Sequence, residues 1–110
     1  MIEKVVLDYL KSTLEVPVQM ETPLENPSKY VLIEKTGSSS ENFIKSATIA
    51  LKSHANSLYE AAELNEKVKT AMDNIIVLDT VSSSKLNTDY NFTDTTKKKY
   101  RYQAVYDLFY

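Results

Sequence analysis

The chain has 110 residues, 43% hydrophobic and 25% charged, which suits one domain with a modest core and argues against disorder throughout. Its formal net charge of -2 lacks the clearly basic balance of a dedicated nucleic-acid binder. Cysteine is absent and glycine occurs once, which excludes disulfides, thiolate chemistry, Cys-based metal sites and the glycine-rich loops that cradle phosphates.

The opening MIEKVVLDYLKS has acidic residues and no long apolar run, so a signal peptide is not expected. No stretch approaches the ~20 apolar residues of a membrane span. The expectation from composition is a soluble intracellular protein without a membrane partner.

Ile2, Val5, Val6, Tyr9, Leu10 and Leu14 recur at i, i+3, i+4, i+7 and i+8, which predicts an amphipathic helix over 2–14. Pro17 disfavours a helical residue before it and stops that helix. Residues 18–21 read as a short edge strand, and 22–28, with Pro23 and Pro27, as a loop. YVLIEK at 30–35 is compact and apolar and reads as a well-buried strand.

TGSSSEN at 36–42 is polar and holds the single glycine, so a hairpin loop longer than the two-residue minimum is expected. Phe43, Ala47, Ile49 and Leu51 then share one parity, with Lys45 as the exception, which predicts a half-buried strand over 43–51. Ser57 followed by Glu60 is a capping-box signature. Leu58, Ala61, Leu64 (or Ala62), Val68, Ala71, Met72 and Ile75 continue at helical spacing, which predicts a second helix over 56–74.

Residues 78–86 read as a strand weakened by Ser82, Ser83 and Ser84, continuing over 87–92 after a bend, with a turn at 93–99. The last strand has the longest alternation. Tyr100, Tyr102, Ala104, Tyr106, Leu108 and Tyr110 form one face, and Arg101, Gln103, Val105, Asp107 and Phe109 the other. The order α-β-β-β-α-β-β predicts an α+β domain, with a mostly antiparallel sheet of four to five strands and two helices packed on one face.

Catalytic and metal chemistry has little to stand on. His54 is the single histidine, and KSHANS around it contains no nucleophile elbow, so a structural or exposed histidine at a strand-to-helix junction is expected. One histidine without cysteine makes a poor zinc site. Asp89 and Asp94 flank 90–93, but carboxylates near a turn ordinarily cap backbone groups. No catalytic, cofactor or metal residue is assigned. Lys97, Lys98, Lys99 and Arg101 form the one concentrated basic cluster; Tyr100 and Tyr102 interleave with it, yet share a face from which Arg101 points away. Lysines there would discourage edge-to-edge aggregation.

Three segments, YVLIEKTGSSSEN, ATIALKSHANSLYEAAELNEKVKTAM and LNTDYNFTDTTKKKYRYQAVYDL, cover most of the chain in one order. In that order they resemble the tail-completion family of long-tailed bacteriophages, also called tail terminators or tail-to-head joining proteins. The resemblance implies a single tail-terminator-like domain over 1–110. It also implies a ring, usually a hexamer, built from subunits that can be monomeric in isolation. Such a ring caps the head-proximal end of the tail tube, stops its polymerisation and presents a surface to the head. The implied partners are further copies of the chain, the tail tube protein and a head-completion or connector protein, with DNA passing through the lumen without specific binding. The implied location is the virion tail or neck, reached from the host cytoplasm during assembly, with no cofactor and no enzymatic activity.

By the same analogy the loop with Thr36, Ser38, Ser39, Ser40, Glu41 and Asn42 faces the lumen or the tube. The turn with Thr95, Lys97, Lys98 and Lys99 is the second candidate interface, on its concentrated charge. The alternatives are a head-completion or neck connector protein, and a small nucleic-acid-binding module using residues 97–102.

Overall fold

The apolar stripe that predicts the first helix is the stripe it buries. In the computed structural model, which describes residues 1–25 and 27–110, α1 (Ile2–Thr13) seals Ile2, Val6 and Leu10 against the rest of the chain. Each such side chain contributes roughly 1.5–3 kcal/mol when fully buried. Asn26, within the expected loop at 22–28, lies outside the described residues.

Next come β1 (Val18–Gln19), β2 (Tyr30–Glu41) and β3 (Ile44–Ala55). Helix α2 (Leu58–Asp73) starts as its capping box dictates: Ser57 is extended, and its hydroxyl accepts a hydrogen bond from the Glu60 N–H at 3.1 Å. A single 3-10 turn (Ile75–Val77) follows, then β4 (Ser83–Asn91) and β5 (Tyr100–Phe109).

The five strands form one sheet in the order β1-β2-β3-β5-β4. β1 joins β2 in parallel and the other neighbours are antiparallel. The α+β architecture and element order agree with the sequence expectation.

One face of the sheet carries both helices. Val31 and Ile33 of β2, Ala47, Ile49 and Leu51 of β3, and Ala104, Tyr106 and Leu108 of β5 are buried in one core with α1 and α2. Helix α1 covers β1 and β2, while α2 covers β3, β5 and part of β4. Polar pins lock this arrangement. Tyr9 donates to the Ala71 carbonyl at 2.9 Å, tying the helices together. Tyr106 donates from the sheet to the Lys69 carbonyl and to the Asp73 carboxylate, at 3.1 and 2.9 Å. Burial and the Asp73 carboxylate push its phenol well above the ordinary tyrosine range. Asp89 of β4 accepts from Asn65 and Lys69 of α2 at 3.1 and 2.9 Å, which anchors the edge strand beneath the helix. The Asp89 hydrogen bond raises the Lys69 pKa.

Apart from β3 running on to Ala55, four residues past the expected end at 51, two boundaries differ from the sequence reading. The stretch at 36–42 is strand, not a long loop: β2 runs on to Glu41 and pairs with β3 through Ser39–Ser46 and Glu41–Ile44. The turn is the two residues Asn42 and Phe43, both left-handed at φ 51° and 67°. That is the backbone of a type I′ hairpin, whose twist matches the flanking strands. Phe43 therefore leaves the inward row of β3 and stands fully exposed at the tip. Its shared parity with Ala47 was misleading, and Lys45, the exception in that row, marks where the strand leaves the helices.

The second difference lies at β4. Residues 78–82 are turn and bend, and the strand begins at Ser83. The expected bend is a bulge between Leu86 and Thr88, where the extra residue steps out of register with β5.

Candidate functional site

The β2–β3 hairpin outruns the rest of the sheet. On one side β1 pairs only with Val31 and Leu32, so the outer edge of β2 beyond Leu32 has no strand partner among the described residues. On the other side β5 reaches Ser46, with one further bond from the Tyr110 N–H to the Lys45 carbonyl. Thr36, Ser38, Ser39, Ser40, Glu41 and Asn42 are all exposed on this arm. Its ladder is reinforced by a 2.6 Å hydrogen bond between the Ser39 and Ser46 hydroxyls and one from Thr36 to the Thr48 carbonyl at 3.3 Å. At its end Ile44 is 56% exposed beside the fully exposed Phe43. An apolar pair at a polar tip, one member in a conformation bulky residues avoid, makes this tip a candidate contact surface. Sequence reading missed Phe43 and Ile44.

The second expected interface lies at the opposite end of the sheet, because β5 begins where β3 ends. Asp94 and Lys99 close the β4–β5 turn with reciprocal backbone hydrogen bonds of 3.0 Å. The Asp94 carboxylate accepts from the Thr96 hydroxyl and from the Thr96 and Lys97 N–H groups, and Lys98 is left-handed at φ 51°. The hydroxyl bond above all holds the Asp94 carboxyl below its ordinary range. Asp94 is thus a turn cap, while Asp89 is engaged with α2, so the two carboxylates have separate duties. Thr95, Lys97, Lys98 and Lys99 are exposed around this turn.

His54 lies near the end of β3 on the sheet face away from the helices. Its ring stacks on Tyr30 across the strand pair, with centroids 4.4 Å apart and planes within 8°. Burial first, then the charges of Arg101, Lys52 and Lys99, lower its pKa from 6.5 to about 4. With the folded pKa depressed, the unfolded chain takes up the proton first. The neutral ring's contribution to stability is complete above about pH 6.5 and is lost as pH falls toward 4. Relative to His54→Gln, the parent is expected to lose melting temperature across that window. Parallel melting profiles for the two proteins would refute this account of the ring.

Between α1 and α2 an open groove of about 750 Å3 is lined by Tyr9, Leu14, Val16, Leu64 and Ala71, with Glu63 and Lys67 on its rim. His54, on the far face of the sheet, does not enter it. Among the described residues no helix is long and apolar enough to cross a membrane, and no three His, Asp or Glu side chains gather as a metal-binding group. No protein-family model matches the chain, and no curated protein matches it.

Proposed function

We propose that this chain is a virion structural protein of a long-tailed bacteriophage: a tail terminator that closes the head-proximal end of the tail tube as a ring and joins tail to head. The three-segment resemblance supplies the assembly. The observation that carries a partner-bound role is the β2–β3 arm, with its apolar tip and its unpaired edge beyond Leu32.

The sheet supports head-to-tail assembly. β2 is antiparallel to β3, β3 to β5, and β5 to β4, so β2 and β4 run in opposite directions. A second copy placed alongside in the same orientation therefore offers its β4 edge antiparallel to the free part of β2. Free edges are templates for pairing, and a heterologous contact closes into a ring when its rotation allows. A joining protein also needs two distinct ends. The apolar arm tip and the basic turn lie at opposite ends of the sheet, in a molecule whose longest dimension is 45 Å.

Electron microscopy of particles assembled without this chain tests the proposal. Full heads beside separate, overlong tails are the expected result. Normal tails with leaking heads would transfer the protein to the head side of the neck, and intact virions would discard the structural role.

A further inference from the structure

The sheet face away from the helices sorts its charges by position. At the hairpin end Asp107 is occupied by hydrogen bonds from Thr48 and Asn87 at 2.8 and 2.9 Å. At the other end the strand register lines up four planar side chains, from β2, β3, β5 and the residue that follows β4. Tyr30 pairs with His54, His54 pairs with Arg101, and the Phe92 N–H bonds the Arg101 carbonyl at 2.9 Å. The Arg101 guanidinium lies 4.5 Å from the Phe92 ring centroid, fixed there by its Nε–H donating to the Phe92 carbonyl at 2.6 Å. Tyr90 meets Phe92 edge to face, with centroids 5.8 Å apart, and Gln103 donates to its hydroxyl at 2.8 Å. Tyr90 and Phe92 remain 40% and 41% exposed.

Cations border this row. Lys99 shares the parity of Arg101 on β5 and leads into Lys98 and Lys97 in the turn. Lys52 lies one row further in, bound to Glu34 at 2.8 Å. Arg101, Lys52 and Lys99 are close enough for their fields to bear on His54. Neither Arg101 nor Lys99 has a salt-bridge partner among the described residues. Exposed aromatic rings beside uncompensated cations match the requirements of an unpaired strand, which offers both phosphates and base faces. A duplex offers the phosphates but hides its base faces in the stack.

We infer that this end of the open sheet face binds single-stranded nucleic acid, with Arg101 and Lys99 on phosphates and Phe92 and Tyr90 against bases. The site shares Tyr90 with β4 and Lys99 with the basic turn, but binding by the isolated chain needs no ring, so its test stands or falls separately from the tail-terminator reading. The tyrosines of the basic segment, Tyr100 and Tyr102, take no part, since they share the helix-side parity of Ala104. Phe92 and Tyr90 replace them from the neighbouring strand.

Fluorescence anisotropy of the full chain with a labelled oligothymidylate of about twenty nucleotides is the test. Saturable binding at low salt is expected. With two phosphate contacts the affinity should fall roughly 25-fold for a tenfold rise in salt. Lys99→Gln, which removes an exposed side chain, should flatten that logarithmic slope by about 0.7. Phe92→Leu should weaken binding about tenfold. Lys11→Gln, on the last turn of α1, should change neither. Absence of saturable binding at low salt would overturn the inference. So would a duplex bound as tightly as the single strand, or indifference to both Lys99→Gln and Phe92→Leu.

Discussion

Replacing Ala104 with aspartate is expected to unfold the domain. Ala104 is fully buried at the centre of β5, opposite Leu51 on β3 and Asp89 on β4, on the face covered by α2. A carboxylate there loses its hydration and gains no free partner. Lys69 of α2, the cation bound to the neighbouring Asp89, is already shared between Asp89 and Glu66 at 2.9 and 3.0 Å. The new charge would also stand directly across the ladder from Asp89, where like charges repel. A buried, unpaired charge costs about 4 kcal/mol or more, against a stability of roughly 5–15 kcal/mol for an ordinary domain. No cooperative thermal transition, or one lowered by roughly 15 °C or more, is the expected result. Gln103→Asp, one residue away on the open face, should cost only about 1 kcal/mol. An Ala104→Asp protein that melts like its parent would show that β5 faces the other way.

Phe43→Gly is expected to separate folding from assembly. The backbone at Phe43 is left-handed, at φ 67°, where a side chain with a Cβ is disfavoured and glycine is at ease. Asn-Gly is moreover the favoured pair for this two-residue turn. The substitution should therefore stabilise the domain by about 1 kcal/mol, raising its melting temperature by about 4 °C. It also removes the largest exposed apolar group on the arm. Under the tail-terminator proposal, purified variant protein should fail to cap tail tubes, or need at least about ten times the concentration to do so, a loss of about 1.4 kcal/mol. A variant that is more stable and caps normally would remove the tip from the interface. One that is less stable would contradict the turn geometry.

These outcomes turn on features unequally legible in the sequence. The last strand could be read because Tyr102, Ala104, Tyr106 and Leu108 alternate without interruption, and α2 because a capping box precedes a regular apolar stripe. The outer half of β2 could not. TGSSSE carries no apolar parity, and what makes it strand is backbone pairing with β3, which leaves no mark on composition. Phe43 was misplaced because parity assumes that the strand reaches it. A turn without glycine at its second position gave no warning, and only Lys45 hinted that cover had ended. The aromatic row was hidden for another reason: Tyr30, His54, Phe92 and Arg101 come from four segments and meet only once the register of four strands is set. Reading 97–102 by itself placed Arg101 correctly away from Tyr100 and Tyr102 but left open what it would meet.

The pairing of β3 with β5 also bears on the route by which the chain folds. β2 with β3, and β4 with β5, are hairpins whose partners are near neighbours along the chain. The central ladder instead joins Ala55 to Tyr100 and Ser46 to Phe109, across α2 and the whole of β4. The entropy of closing that long loop is concentrated in one event, which neither hairpin can share. Leu51, Tyr106 and the face of α2 above them sit where the two hairpins meet, so contacts at the middle of the sheet are expected to set the rate of folding, and those of the arm to have little effect on it.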